Sequence, residues 1–165
     1  MSNGSERYET GLIVGRFDPP HLGHSSMIAS ALARVDRLVV YVNCSMERDA
    51  APGELRVTWL AEEHPDVEVR AVRHDLATDW NDDELWARWI ALFREHWPHP
   101  EGPHAVFSSD HYVSGIADRL GASPVMVDPD RVQVPISATQ IRQNPGDHLD
   151  RVLPGVRRWI QANWL

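Results

Sequence analysis

Two histidines three residues apart, His21 and His24, close the segment GRFDPPHLGH (Gly15–His24), between a short apolar run and a stretch of helical period. A helix opening there turns free backbone N–H groups and the positive end of its dipole toward the turn, a setting that favours phosphate. Gly15 and Gly23 permit close backbone approach, and the imidazoles add donors that can follow charge as it develops on a phosphate oxygen. The pair would also serve as two surface histidines or as half of a metal site, but no cysteine or third nearby histidine completes a metal set, and no metal ligands are expected from the protein. A second group lies far along the chain in Ile136-Ser137-Ala138-Thr139-Gln140-Ile141-Arg142. Ser137 suits a helix cap, Thr139 offers a hydroxyl, and Arg142 carries a planar, bidentate charge for phosphate. Read alone, this segment is equally an ordinary capped helix with an exposed arginine.

These residues need elements to hold them. Apolar runs at Gly11–Val14, Leu38–Val42, Val67–Ala71, Ala105–Ser109 and Pro124–Val127 read as strands. Helix-period stretches separate them. Met27, Ile28, Ala31, Leu32 and Val35 recur at helical spacing, and a short helix from Leu55 ends near Glu63, ahead of Pro65. Asn81, with Glu84 three residues on, reads as the cap of a helix carrying Leu85, Trp86, Trp89, Ile90 and Phe93, ended by Pro98. Tyr112–Leu120 reads as a helix stopped by Gly121, Ser137 opens a short one, and Val156, Trp159, Ile160 and Asn163 mark a last one in the tail. Strand and helix in alternation specify an α/β fold, a Rossmann-like doubly wound parallel sheet of about five strands with helices on both faces. In such sheets ligands bind at the carboxyl ends of strands, so the turns after strands one, two and four are the ones to search.

The composition narrows the partners. The 165 residues carry 24 acidic groups against 16 basic ones, all arginine, for a net charge of −8. That balance argues against generic nucleic-acid or anionic-membrane binding, so an anionic ligand must meet a local cluster of positive groups. The length suits one domain, expected over residues 11–165, with residues 1–10 as a disordered leader. The one cysteine, Cys44, has no neighbour in sequence that would lower its pKa, and nothing requires an oxidising compartment. With no signal peptide and no run approaching a membrane span, the chain reads as cytoplasmic.

GRFDPPHLGH closely resembles the HxGH signature of the nucleotidyltransferase superfamily, and ISATQIR followed by Gln143-Asn144-Pro145 resembles its ISxTxIR loop, which closes over a triphosphate. With VFSSD (Val106–Asp110) and VDPDR (Val127–Arg131), the stretch from about Leu12 to Trp159 resembles the nicotinamide mononucleotide adenylyltransferase domain of NadR-type proteins and their archaeal relatives. No P-loop of the kind that marks the kinase of those bifunctional relatives is present in these residues.

The resemblance implies a nucleotidyltransferase-type fold and a site for ATP and a mononucleotide acceptor, with Mg²⁺ carried on the ATP phosphates. His21 and His24 would bind the ATP phosphates, His24 facing the α-phosphate. Ser137, Thr139 and Arg142 would hold the β- and γ-phosphates, with Ile136 in the same loop. Gly15, Arg16 and Phe17 would present backbone to the nucleotides, and Ser108, Ser109 and Asp110 would contact adenosine or the second nucleotide unless they only form a turn. Trp80 would stack on the nicotinamide ring, or else be a core residue; Arg56 would reach substrate, or else be an exposed structural arginine. Asn43 begins a loop, Asn43–Gly53, that is expected on the acceptor side and departs most from relatives, being shorter and less basic. Asp18 is common in adenylyltransferases for nicotinate mononucleotide and phosphopantetheine, so these acceptors, or a phosphonate, stand as alternatives. A non-catalytic nucleotide-sensing domain is another, and a homo-oligomer is expected of such a family.

Overall fold

The computed structural model describes residues 6–45 and 48–165. The chain runs β1 (Tyr8–Gly15), α1 (Leu22–Leu32), β2 (Val35–Ser45), α2 (Gly53–Glu63), β3 (Glu68–His74), α3 (Asp83–His96), β4 (Ala105–Ser108), α4 (Val113–Leu120), β5 (Ser123–Met126), α5 (Ala138–Gln143) and, after two 3-10 turns, α6 (Pro154–Asn163). All strand pairs are parallel, in the order β3-β2-β1-β4-β5. Strand order therefore reverses between β1 and β4, which creates the crevice that sheets of this kind use for ligands.

Alternation along the central strands decides which helices lie on which face. Ile13, Val40 and Val42 turn toward α1, α2, α5 and α6, where they pack with Ile28, Leu60, Ile141 and Ile160. Leu12, Val14, Val39 and Tyr41 turn the other way, toward Trp86 and Phe93 of α3 and Ile116 and Leu120 of α4. Both faces of the sheet are thus covered, which is why β1 and β2 read as continuous apolar runs. No described helix is long and apolar enough to cross a membrane.

Three boundaries differ from the sequence reading. β1 begins at Tyr8, inside the expected leader, because Tyr8 pairs with Val35 and Arg7 bonds Asp36 and the carbonyls of Ala33 and Val35. Residues 1–5 of that leader lie outside the described residues. Val35 starts β2 instead of ending α1; lying three residues from both Leu32 and Leu38, it satisfies the helical spacing while belonging to the strand. The cap of α3 is Asp82, whose carboxylate accepts from the Leu85 N–H, and not Asn81. α4 ends as expected, with Gly121 at φ 71°.

Candidate functional site

A cavity of about 400 Å³ opens over the carboxyl ends of the strands, at the reversal between β1 and β4. On one side lie the turn after β1 and the start of α1. His21 is the N-cap of α1: its Nδ1 accepts from the N–H groups of Gly23 (3.1 Å) and His24 (3.3 Å), while His24 Nδ1 accepts from the His21 N–H (3.1 Å). Two imidazoles thus fill a capping box otherwise built from Ser or Thr and Glu or Gln. A side chain at Gly23 would meet the His21 ring at 2.9 Å, so the glycine serves this fold-back of the ring.

The cap also fixes the tautomers. Each Nδ1 accepts a backbone proton and is unprotonated, which leaves the ring proton of each neutral imidazole on Nε2 as a donor. Burial keeps both rings neutral: His21 is lowered to about 3 by burial and then by the Arg131 charge, and His24 is lowered by burial, His21 and Arg131 in turn. The rings stack at 3.6 Å, and Phe17 abuts His24 edge-on at 4.6 Å. Phe17 itself adopts φ 51°, a left-handed conformation that a bulky residue holds only where its surroundings enforce it.

Arg142 reaches across from α5 to the same turn. Its Nη1 donates to the Asp18 carbonyl and its Nη2 to Thr139 Oγ1 at 3.2 Å. Ser137 caps α5 in a reciprocal box with Gln140. Ser108, Ser109 and Asp110 line the cavity after β4; Ser108 Oγ accepts from the Asp110 N–H at 3.0 Å, and Asp110 faces Arg131 at 3.7 Å. On the other side the wall is aromatic. Trp80, 54% exposed, lies parallel to Tyr112 at 5.6 Å, beside Trp86. Trp86 Nε1 and Trp89 Nε1 donate to the carbonyls of Trp80 and Ala77, pinning that loop to α3. Tyr112 donates to the Val14 carbonyl, and burial and Asp110 push its hydroxyl up to about 12. Asn43 lines the cavity from the end of β2, and its Oδ1 is the one buried side-chain polar atom without a partner among the described residues.

The cavity wall therefore gathers Gly15, Arg16, Phe17, His21, His24 and Arg142 with Asn43, Trp80, Ser108, Ser109 and Asp110. Four expected residues stand off it. Ile136 is 1% exposed and packs in the core, offering only its carbonyl to Arg131. The Ser137 and Thr139 hydroxyls serve the cap and Arg142. Arg56 is neither ligand-facing nor an exposed structural arginine: it is fully buried, with its donors on protein acceptors. Arg16 is on the wall, but its charge faces Asp18 (3.5 Å) and Asp49 (3.9 Å). Sequence reasoning gave no role to Arg131, Arg48, Tyr112 or Trp86, which also line the cavity. Arg131 follows a turn in which Asp128 accepts from the N–H groups of Val132 and Gln133, so the DPDR segment carried the local signal.

The fold is the α/β Rossmann-like nucleotidyltransferase fold: it matches a solved NadR protein in complex with NAD and AMP-PNP with a TM-score of 0.69 and 22% identity, over 93% of this chain and 48% of that one. A solved bifunctional NMN adenylyltransferase/ADP ribose pyrophosphatase from Francisella tularensis matches with a TM-score of 0.63 and 16% identity, over 82% of this chain and 41% of that one. Within this fold, the chain resembles the NMN adenylyltransferase domain of NadR-type proteins. A cytidylyltransferase-like family model matches residues 12–51. The chain is 26% identical over 155 residues to the trifunctional NAD biosynthesis/regulator protein NadR of Escherichia coli (strain K12), covering 82% of this chain and 36% of that protein. A nicotinamide-nucleotide adenylyltransferase of Aeropyrum pernix is 50% identical over 36 residues, 22% of this chain and 21% of that protein. The chain spans about a third of the length of the NadR relative.

Proposed function

We propose that this chain is an adenylyltransferase that joins the AMP moiety of ATP to nicotinamide mononucleotide, forming NAD and releasing pyrophosphate. The observation that carries this reading is the pair of imidazoles locked in one tautomer beside Arg142, at the strand reversal of a nucleotidyltransferase fold. The acceptor's 5′-phosphate oxygen attacks the α-phosphorus of ATP and pyrophosphate leaves, so no protein nucleophile is needed. The chain's tasks are alignment and the stabilisation of charge. The Nε2–H groups of His21 and His24 donate to phosphate oxygens without titrating. Arg142, with two of its five N–H donors on Asp18 and Thr139, turns the rest to the departing pyrophosphate.

Trp80 and Tyr112 provide the flat electron-rich surface that a cationic pyridinium ring favours, and the unpartnered Asn43 Oδ1 awaits a donor from the acceptor. The carboxylate donor set fits a Mg²⁺ held by phosphates and water, since Asp18 is engaged with the backbone of Ala50 and Ala51 and Asp110 with Arg131. When bound, that ion would neutralise charge on the triphosphate. Asp18, which in sequence favours other acceptors, is 1% exposed at the cavity wall, with both carboxylate oxygens on the N–H groups of Ala50 and Ala51.

Pyrophosphate release from ATP with a panel of phosphate acceptors tests the proposal. Nicotinamide mononucleotide should be the best acceptor, and the assignment fails where it yields no dinucleotide while another compound does. His24→Ala and Arg142→Ala should each raise the barrier by about 2–4 kcal/mol in kcat/KM; Arg142→Ala should cost little stability, whereas His24→Ala, which removes the acceptor of the His21 N–H, should cost about 1 kcal/mol.

A further inference from the structure

We propose that Arg56 and Asp18 are positioning residues for this reaction, acting from beneath the cavity floor through the carbonyl on which Arg142 rests. The proposal builds on the adenylyl-transfer reading, since it assigns Arg142 to the phosphates.

Arg56 opens no face to solvent or to the cavity. Its Nη1 donates to the carbonyls of Arg16 (2.6 Å) and Asn43 (3.1 Å), its Nε to the carbonyl of Ala51 (3.0 Å), and its Nη2 to the Asp49 carboxylate. One guanidinium thus ties the turn after β1 to the end of β2 and to the loop entering α2. Asp18, 1% exposed, mirrors it: its two carboxylate oxygens accept from the N–H groups of Ala50 and Ala51, each at 2.8 Å. Arg16 stands 3.5 Å from Asp18, and Arg56 Nε 3.9 Å. Two arginines and two aspartates cancel in charge, so the cluster adds little field to the phosphate site.

Ion pairs removed from water are weak sources of stability, because desolvation offsets their attraction, and apolar side chains would fill the same corner as well. What a planar fork adds is direction at several acceptors at once. Here one acceptor, the Arg16 carbonyl, adjoins Phe17, the left-handed residue whose ring abuts His24. Arg56 holds the carbonyl before Phe17, and the Asp18 side chain holds the residue after it. That same Asp18 presents its backbone carbonyl to Arg142 Nη1, 124 residues along the chain. Arg142 is therefore docked on a carbonyl whose position Arg56 and Asp18 determine.

A double-mutant cycle between Arg56→Met and Arg142→Ala in the full chain tests this. The readouts are the dissociation constant of a non-hydrolysable ATP analogue, by calorimetry, and kcat and KM for pyrophosphate release. Each single change should weaken analogue binding about tenfold or more, and Arg56→Met should add less than about threefold once Arg142 is gone. Effects that multiply would overturn the proposal, since a purely structural Arg56 lowers binding independently of Arg142. Should Arg56→Met fail to fold by circular dichroism, Asp18→Asn, which sets a donor against a backbone N–H, takes its place in the cycle with the same two outcomes. Wild-type protein that binds the analogue but releases no pyrophosphate with any mononucleotide refutes adenylyl transfer and leaves the binding cycle to decide on Arg56. Wild-type protein that binds no analogue overturns both.

Discussion

At the scale of single residues, the His21–His24 cap ties the proposed phosphate contacts to a folding role. His21 titrates near 6.5 in the unfolded chain and is lowered to about 3 in the folded one. Between those values the unfolded state binds a proton that the folded state refuses, so this contribution to stability is complete above about pH 6.5 and is lost as pH falls toward 3. His21→Asn keeps a good cap acceptor and removes the titration. Its unfolding free energy in urea should therefore fall less steeply from pH 7 to 5 than the wild type's, by up to about 1.4 kcal/mol per pH unit; parallel slopes would contradict the burial. Trp80→Ala leaves this cap untouched and should chiefly raise the acceptor KM. Equal losses for chemically different acceptors would assign Trp80 to packing.

At the scale of elements, α5 is six residues long and delivers Arg142, so its cap bears directly on the site. Ser137→Ala removes the acceptor for the Gln140 N–H and should cost about 1 kcal/mol in a thermal melt, with KM for ATP rising more than kcat falls. The alternation of apolar runs and helical periods was enough to read every strand and helix described here in its order, because buried parallel strands and two-sided helix packing impose it. Element ends were less legible. Tyr8–Thr10 are polar to the eye but become strand through pairing with β2, and Val35 satisfies two periods at once. The residues proposed for the phosphates could be picked out because they cluster in two short segments. Arg56, Arg131 and Tyr112 were not, since what each touches depends on contacts 5 to 98 residues away that no local spacing encodes.

At the scale of the whole molecule, the cavity draws on every strand but β5, on the loop before α3, and on α5 near the far end of the chain. A ligand that bridges these parts stabilises the fold as a unit. ATP at about 100 times its dissociation constant should add about 2.7 kcal/mol to the unfolding free energy, and at the same ATP concentration that gain should fall to about 1.4 kcal/mol or less in Arg142→Ala. The aromatic wall has a consequence of a different kind. Of the seven tryptophans, Trp59 and Trp86 are 7% exposed, whereas Trp80 is 54% exposed and lies against Tyr112 in the cavity wall. The molecule thus carries its own optical reporter: on the proposed reading, an acceptor ring seated on Trp80 should shield that indole from a collisional quencher such as acrylamide, and the difference between wild type and Trp80→Phe isolates its emission from that of the other six.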